Sequence, residues 1–133
     1  MLSPQLQMNI PNVVEEVKAA FKRYEEALVT NNITVLDELF FNSPSTIRYG
    51  AGEESIGYQA IQDFRKGRNP SNLSRDLQNT IITTYGDDFA VASTEFTRTT
   101  LLNKLGRQQQ TWVRTCEGWR IVAAHVSTRD LSR

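Results

Sequence analysis

The sequence predicts an α+β protein in which helices gather at the start of the chain and antiparallel strands follow. An apolar stripe with helical spacing runs through residues 13–28, and four strand-like runs separated by turn residues fill residues 77–127. Helices grouped ahead of an antiparallel run are typical of α+β folds and not of parallel α/β folds. We therefore expect a curved antiparallel sheet that wraps the first helix as a cone and leaves an internal pocket between helix and sheet.

Length and composition limit the kinds of protein this chain can be. Its 133 residues suffice for one domain with a buried core, and we expect a flexible leader over 1–11 and a single domain over 12–133. Basic and acidic residues balance at 15 each, which disfavours a general nucleic-acid binder. No stretch has the apolar length that spans a bilayer, and no secretory signal is recognisable. With Cys116 as its single cysteine, the chain cannot form an internal disulfide, so we predict a cytoplasmic protein without nucleic-acid or membrane partners.

The first half of the chain holds the predicted helices. Asn12 is the expected N-cap of the first helix, with Glu15 three residues later in a capping-box arrangement. Asparagines at the end of this helix are expected to cap a short second helix over 34–40. A strand over 45–51 and a loop then lead to a third helix over 58–66.

The second half holds the predicted meander, with strands over 77–85 and 89–98 and a hairpin over 106–127. Side chains alternate across a sheet. In the last strand, alternation places two sets of residues on opposite faces. One face carries Trp119, Ile121, Ala123, His125 and Ser127, and the other carries Arg120, Val122, Ala124 and Val126. Both faces are largely apolar, so something should cover each. We expect a second copy to cover Val122, Ala124 and Val126 in a twofold sheet-to-sheet homodimer.

The order of elements and the ending of the chain carry a family resemblance. Trp119, His125 and Ser127 form the pattern W-x-x-x-x-x-H-x-S. With the helix–strand order, this ending resembles the nuclear-transport-factor/ketosteroid-isomerase-like superfamily, which includes SnoaL-like and cystatin-like proteins. The resemblance covers nearly the whole chain from Asn12 and implies a cystatin-like cone of bent sheet and helices around a pocket.

Five runs carry a narrower resemblance. They are RYEEALVTNN (23–32), IRYGAGE (47–53), NTIITTYGDDFAVASTEF (79–96), GRQQQTWVR (106–114) and GWRIVAAHVS (118–127). These runs look like the small proteins associated with oxalurate and triazine-ring catabolism. In that branch a decarboxylating amidohydrolase activity on a dicarboxylated urea is known, while several relatives have no assigned chemistry.

Two residues are the candidate catalytic groups. Tyr24 continues the buried stripe of the first helix, so its hydroxyl needs either a backbone carbonyl in the core or a partner in the pocket. Arg48 is flanked by apolar residues in a short strand and needs an anionic partner if it points inward. That partner is a carboxylate such as Glu53 or Glu95, or the carboxylate of a ligand. The resemblance implies a catalytic role for both Tyr24 and Arg48.

Four further residues are candidate ligand contacts. His125 is a candidate proton shuttle, a role for which histidine side chains in general are suited, although a lone histidine in a strand also fits a structural role. Ser127 lies near it, but no acid completes a hydrolase triad. Gln110 and Trp112 share a face with Gln108, and two amides beside an indole suit a urea-like ligand; surface glutamines explain the run as well.

The remaining sequence offers little for cofactor or metal chemistry. No cluster of histidine, cysteine and aspartate has metal-ligand spacing, and no glycine-rich phosphate loop occurs. Cys116 is followed by Glu117, whose negative charge disfavours the thiolate. We therefore expect neither a cofactor nor a metal.

Three functions are compatible with these residues. The first is a cofactor-free hydrolase of a small anionic amide, in which Arg48 holds a carboxylate and Tyr24 acts as acid or hydrogen-bond donor. The resemblance implies carbon dioxide release for it. The second is a non-catalytic accessory or ligand-binding protein. The third is an isomerase or cyclase that uses a carboxylate base in the pocket, for which Glu95 is the strand candidate.

Overall fold

The computed structural model describes residues 1–131 and shows three α-helices packed on a six-stranded sheet. The helices are α1 (Pro11–Val29), α2 (Ile33–Leu39) and α3 (Tyr58–Gly67). The strands are β1 (Ile47–Tyr49), β2 (Glu54–Ile56), β3 (Asp76–Tyr85), β4 (Phe89–Thr97), β5 (Lys104–Thr115) and β6 (Gly118–Asp130). The predicted α+β class is confirmed. The end of the predicted domain, at residues 132 and 133, lies outside the described residues.

The curved sheet has the strand order β2-β1-β6-β5-β4-β3 and is open at both edges. β3 to β6 form the predicted antiparallel meander, and β2 pairs antiparallel with β1. β1 pairs parallel with β6. β2 is absent from the sequence prediction, since three residues are too short to show an alternating pattern.

Helix α1 lies against one side of the sheet, which we call the inner face; the opposite side is the outer face. The buried residues of the helix recur at helical spacing and are Val13, Val17, Phe21, Tyr24, Ala27 and Leu28. The helix begins one residue before the predicted cap, with Pro11 in its first turn and Ile10 as N-cap. Asn12 is therefore not the cap: proline has the backbone angle of a first helical residue and needs no amide partner there.

The connection from α1 to α2 follows the prediction. Asn31 takes a left-handed conformation with φ of 52°, which turns the chain after α1. Asn32 then caps α2, its side-chain oxygen accepting a hydrogen bond from the Val35 amide at 3.2 Å.

The segment predicted as a leader is partly built into the fold. Met8 forms a bridge with Tyr85 at the end of β3. The Asn9 amide donates to the Thr84 carbonyl at 3.0 Å, and the Asn9 side-chain oxygen accepts from the Thr84 amide at 3.0 Å. These contacts tie residues 8 and 9 to the β3 edge of the sheet.

A bulge in β6 sets the direction of every side chain after it. Thr111 of β5 lies opposite Ala123, and the next residue, Trp112, lies opposite Ile121. Val122 is therefore an extra residue without its own partner on β5. Alternation shifts by one position at Val122, so the residues that follow exchange faces.

Burial on the two sides of the bulge shows this exchange. Trp119 and Ile121 face inward before it, and Ala124 faces inward after it, with only 8% exposure. Ala123 and His125 are exposed on the outer face. The face assignment predicted from strict alternation is wrong from Ala123 onward. Because Ala124 belongs to the core, the predicted outer apolar set of Val122, Ala124 and Val126 is wrong as well.

The hydrophobic core fills the space between the inner face and the helices. Trp112 and Ile121 are fully buried on the sheet, and Leu36 and Phe40 pack from the α2 region. Phe40 also forms a parallel bridge to Ile121, which fixes the end of α2 on β6. No helix within residues 1–131 has the length and apolar character needed to cross a membrane.

Candidate ligand-binding site on the inner face

Tyr24 lies on the buried side of α1 and is 5% exposed. Its ring packs at a tilt against Phe40, with 6.3 Å between ring centroids. The hydroxyl of Tyr58 donates to the Asp37 carbonyl at 2.7 Å, whereas the Tyr24 hydroxyl has no hydrogen-bond partner within residues 1–131. A core tyrosine tied to a backbone carbonyl is therefore not what the structure shows. The hydroxyl remains available to a ligand.

Arg48 of β1 points to the inner face because it lies beside buried Ala124 of β6 in the parallel pairing. Its Nη1 donates to the Glu53 carboxylate at 2.7 Å, and its guanidinium lies 5.4 Å from the Phe64 ring centroid. Of the two carboxylates expected as partners of Arg48, Glu53 and Glu95, Glu53 is the one that accepts its hydrogen bond. Arg48 is thus held in place by a carboxylate of the chain itself.

The backbone at Gly50 makes room for this ion pair. A Cβ on Gly50 would collide with the Glu53 carboxylate and would lie 3.0 Å from Arg48 Nη1. Glycine is thus required here for the close approach of the carboxylate to the strand.

Two further inward arginines are paired with carboxylates from the helices. Arg65 of α3 donates from Nη1 to Asp37 at 2.6 Å. Arg75, which precedes β3, donates from Nε and Nη2 to the two oxygens of Glu25, both at 2.7 Å. Their side chains are 5% and 2% exposed. Burial lowers the pKa of Arg65, and Tyr24 and Asp37 oppose that change.

Arg68 and Arg98 have no carboxylate partner within residues 1–131. Arg68, just after α3, donates from Nη2 to the side-chain oxygen of Asn31 at 3.2 Å. Arg98, just after β4, donates from Nη1 to the Asn72 carbonyl at 3.4 Å. Burial lowers the pKa of both guanidinium groups. A charge on the Tyr24 oxygen would raise the pKa of both, so the hydroxyl lies within electrostatic reach of the two arginines.

The two buried glutamines of β5 have fixed amide orientations. Gln110 accepts at Oε1 from the Trp112 indole N–H at 3.1 Å, and Gln108 accepts at Oε1 from Arg75 Nη2 at 3.1 Å. Indole and guanidinium groups can only donate, so each amide must turn its oxygen towards them. Both NH₂ groups therefore point away as donors. Trp112 positions Gln110, and its indole N–H is already engaged in that hydrogen bond.

Four buried nitrogens of this region lack a hydrogen-bond partner within residues 1–131. They are Nε of Arg68, Nε of Arg98, Nε2 of Gln108 and Nε2 of Gln110. Buried polar atoms are normally paired, and leaving a donor unpaired costs about 1–3 kcal/mol. All four are donors, so the missing partners are acceptors. Sequence reasoning missed Arg68 and Arg98, because both lie in connecting segments that carry no periodic pattern.

His125 and Ser127 lie on the outer face, away from Tyr24. The His125 ring packs edge-on against Tyr49, with 5.7 Å between ring centroids, and Ser127 accepts a hydrogen bond from Arg107 at 3.3 Å. The prediction that they share a pocket with Tyr24 and Arg48 is wrong, because the bulge at Val122 reverses their face. Tyr24, Arg48, Gln110 and Trp112 all lie on the inner side of the sheet.

Glu95 also lies on the outer face. Its carboxylate accepts a hydrogen bond from Asn79 Nδ2 at 2.7 Å, and it lines an open depression there with Ile81, Gln109 and His125. Glu95 is thus separated from Tyr24 by the sheet. It cannot act as the base of an inner pocket.

The described residues contain no cluster that suits a metal. Within 1–131, no group of three or more histidine, cysteine, aspartate or glutamate side chains could hold an ion. Cys116 is free and exposed in the turn between β5 and β6.

Solved structures of other proteins share this architecture. A protein with unknown function from the DUF3225 family of Pectobacterium atrosepticum SCRI1043 is 55% identical, with a TM-score of 0.92 over 98% of this chain and 99% of that chain. A cystatin-like fold protein from Burkholderia xenovorans LB400 is 46% identical, with a TM-score of 0.90 over 94% and 98%. A nuclear transport factor 2 (NTF2-like) superfamily protein from Salmonella enterica serovar Typhimurium LT2 is 25% identical, with a TM-score of 0.72 over 92% and 94%. No curated protein matches the chain.

The fold and the solved structures that share it define the class of protein: this is an NTF2-like, cystatin-like α+β domain. The family model described as AtzH-like matches residues 6–132, which is nearly the whole chain. The chain belongs to the AtzH-like family.

Proposed function

We propose that the chain binds a small carboxylated urea or amide between the inner face and the helices and hydrolyses one of its C–N bonds with release of carbon dioxide. The observation that supports this proposal is the set of four unpartnered nitrogen donors on Arg68, Arg98, Gln108 and Gln110. A ligand rich in carbonyl and carboxylate oxygens would satisfy these donors. Hydrogen bonds to charged groups are the stronger ones, which favours an anion.

In this proposal Tyr24 and Arg48 have separate tasks. The planar guanidinium of Arg48 orients a carboxylate or carbonyl, and the Tyr24 hydroxyl donates a hydrogen bond as negative charge develops on oxygen. Water supplies its oxygen to the acyl carbon, the C–N bond breaks, and the leaving nitrogen takes a proton. A carboxyl group on that nitrogen is then lost as carbon dioxide, and a further proton replaces it. The process fits a place in the catabolism of nitrogen compounds.

One observation favours a second candidate, a non-catalytic binding or accessory protein of the same pathway. Hydrolysis needs a base for the attacking water. The carboxylates near the site are Glu25, Asp37 and Glu53, and each of them is bonded to an arginine. A pocket whose acids all hold arginines is well built for binding. An isomerase or cyclase mechanism based on Glu95 is set aside, because Glu95 lies on the outer face.

Turnover of a substrate panel separates the two candidates. Ammonia and carbon dioxide release are measured with dicarboxylated ureas, oxalurate and allophanate-like compounds. On the best substrate, Tyr24→Phe should lower turnover by roughly a hundredfold or more and change substrate binding much less, the usual behaviour of an acid–base group. Arg48→Lys keeps the charge but loses the planar fork, so binding should weaken and activity should drop severely.

The matched control is Tyr49→Phe. It removes the same hydroxyl oxygen from a tyrosine that follows Arg48 in β1 and lies on the outer face. This variant should retain full turnover. Full turnover of Tyr24→Phe would remove the acid from the hydrolase proposal. Tight binding without turnover across the panel would establish the binding protein instead.

We also propose that the chain forms a homodimer through the outer face. The residues that support it differ from those expected from the sequence. Ile56 near one edge and Ile81 near the other are 58% and 63% exposed on the outer face, and the open depression lies beside Ile81. A second copy of the same sheet would cover both isoleucines. A cytoplasmic location stays a prediction.

A further inference from the structure

The charges near Tyr24 do not balance within the described residues. Five arginines lie in this region, at positions 48, 65, 68, 75 and 98, with three carboxylates, at positions 25, 37 and 53. The chain as a whole has a formal net charge of zero. The excess of two positive charges is therefore local, and it consists of Arg68 and Arg98.

Arg98 donates to the carbonyl of Asn72, which lies in the same connection between α3 and β3 as Arg68. The guanidinium of Arg98 lies 5.4 Å from the Phe96 ring centroid, and that of Arg75 lies 4.4 Å from the same centroid. Arg75 is in turn bonded to Gln108, whose NH₂ group is unpartnered. Arg68 and Arg98 also lie close enough for their charges to repel.

Holding two like charges together in partly buried positions is unfavourable without an anion between them. Each keeps a buried Nε without a partner, although Asn31 and the Asn72 carbonyl each accept one bond from the other end of the guanidinium. Hydrogen-bonded neutral oxygens fix the two side chains, and no carboxylate within residues 1–131 forms an ion pair with either of them. This arrangement suits a ligand that supplies the negative charge itself.

We propose that Arg68 and Arg98 form the anchor for a carboxylate of the ligand, and that Gln108 donates to the same ligand from β5. Arg48 is already neutralised by Glu53, so it orients the ligand while Arg68 and Arg98 supply most of the attraction for negative charge. The choice of a carboxylate rests on the proposed function; the need for an anion rests on the two unpaired arginines alone.

The test uses malonate as a simple carboxylate probe and inorganic phosphate as the competing anion. Malonate binding to the full chain is measured by calorimetry in low-chloride buffer. Arg68→Gln and Arg98→Gln should each weaken it by roughly tenfold or more, because each removes a charge-assisted hydrogen bond. The matched control is Arg129→Gln, which removes the same charge from an exposed position on β6 and should leave the affinity unchanged.

Melting temperatures without malonate separate a binding role from a structural one. Removing either unpaired charge should leave the melting temperature unchanged or raise it, because repulsion is relieved. A lowered melting temperature in both variants would show that the arginines serve the fold, and it would overturn the proposal. Undiminished malonate binding would overturn it too, and tighter binding of phosphate than of malonate would overturn the assignment to a carboxylate.

Failure of this proposal is distinguishable from failure of the proposed hydrolase. If malonate binding depends on Arg68 and Arg98 while no carboxylated urea is turned over, the anchor stands and hydrolysis falls. If a substrate is turned over and its KM is the same in Arg68→Gln, Arg98→Gln and the parent protein, the hydrolase stands and the anchor falls.

Discussion

Gln109 and Gln110 are neighbours in β5, and they meet opposite surroundings. Gln109 is exposed on the outer face and donates to Ser93 at 3.1 Å. Gln110 is 1% exposed on the inner face, where its oxygen is held by Trp112 and its NH₂ group has no partner within the described residues. On the outer face water can satisfy whatever the protein leaves unpaired. On the inner face another buried group, a trapped water or a ligand has to do so.

The arginines show the same difference. Arg107 of the outer face is exposed and bonded to a serine hydroxyl, whereas Arg75 is almost completely buried and bonded to a carboxylate and an amide. A charge in water needs no partner, and a buried charge needs one. Unpaired polar groups are therefore informative on the inner face alone.

The largest effect we expect comes from breaking the best-paired inner arginine. Arg75→Met leaves Glu25 buried without its partner and Gln108 without its donor. Removing one member of a buried pair costs about 3–5 kcal/mol, so the free energy of unfolding should fall by that amount. Urea denaturation at fixed protein concentration measures it.

The control for Arg75→Met is Arg107→Met on the outer face. An exposed substitution of this kind should change the free energy of unfolding by no more than about 0.5 kcal/mol. Equal losses in the two variants would mean that burial does not distinguish the two faces.

A smaller effect on folding, but a clear one on assembly, is expected on the outer face. Ile81→Lys places a charge where the proposed homodimer buries an isoleucine, so the dimer should dissociate at least roughly tenfold more readily. Light scattering across a concentration series measures the mass. An unchanged dimer, or a parent protein that is monomeric throughout, would rule out assembly through this face.

The smallest effect is expected at the boundary between the two faces. Glu16 of α1 accepts from the Trp119 indole at 3.0 Å and from Arg114 at 2.6 Å. These hydrogen bonds, the one from Trp119 foremost, lower the pKa of Glu16 below its usual 4.5. A carboxylate with a lowered pKa adds stability above the unfolded-state pKa, and that stability is lost as the pH falls through the folded-state pKa.

Glu16→Gln should therefore flatten the decline of melting temperature below a pH of about 4.5. Melting temperatures at several pH values between neutral and strongly acidic would show the change. Glu15→Gln, which removes an exposed carboxylate one residue away, should keep the parent slope. Parallel curves for Glu16→Gln and the parent protein would contradict the prediction.

Local patterns were sufficient to predict much of the fold from the sequence. The stripe of α1, the cap at Asn32 and the start of α3 at Tyr58 depend on residues close in the chain, and the structure confirms them. The meander follows from turn residues between strand-like runs. Tyr24 could be placed inward because it continues the apolar stripe of α1, whereas the direction of Arg48 follows from the pairing of β1 with β6, which no local pattern shows.

The bulge at Val122 could not be predicted by counting alternate residues. Its trace in the sequence is that both parities of the last strand are apolar. This pattern is typical of a strand with two covered faces, whereas here Trp119 and Ile121 before the bulge and Ala124 after it all lie on the inner face. A one-residue slip exchanges faces for all that follows, and for this reason His125 was predicted on the wrong side.

Arg68 and Arg98 could not be found from the sequence for a different reason. Each lies in a connection, and 29 residues lie between them. Arg68 contacts Asn31 after α1, and Arg98 contacts Asn72 ahead of β3, and both contacts join segments that are distant in the sequence. The two arginines are candidate ligand contacts because of their burial and their lack of a carboxylate partner within residues 1–131, and a local sequence pattern shows neither property.

The fixed orientation of the two inner amides has a consequence for what leaves the site. Trp112 and Arg75 each donate to the oxygen of Gln110 and Gln108, respectively, so both NH₂ groups remain as donors. A carboxylate has only acceptors, whereas its neutral isosteres also carry hydrogens, so the proposed site would favour the ionised group. Loss of carbon dioxide would remove the very group that these donors hold. The product would then bind more weakly than the substrate, and its release would need no moving lid.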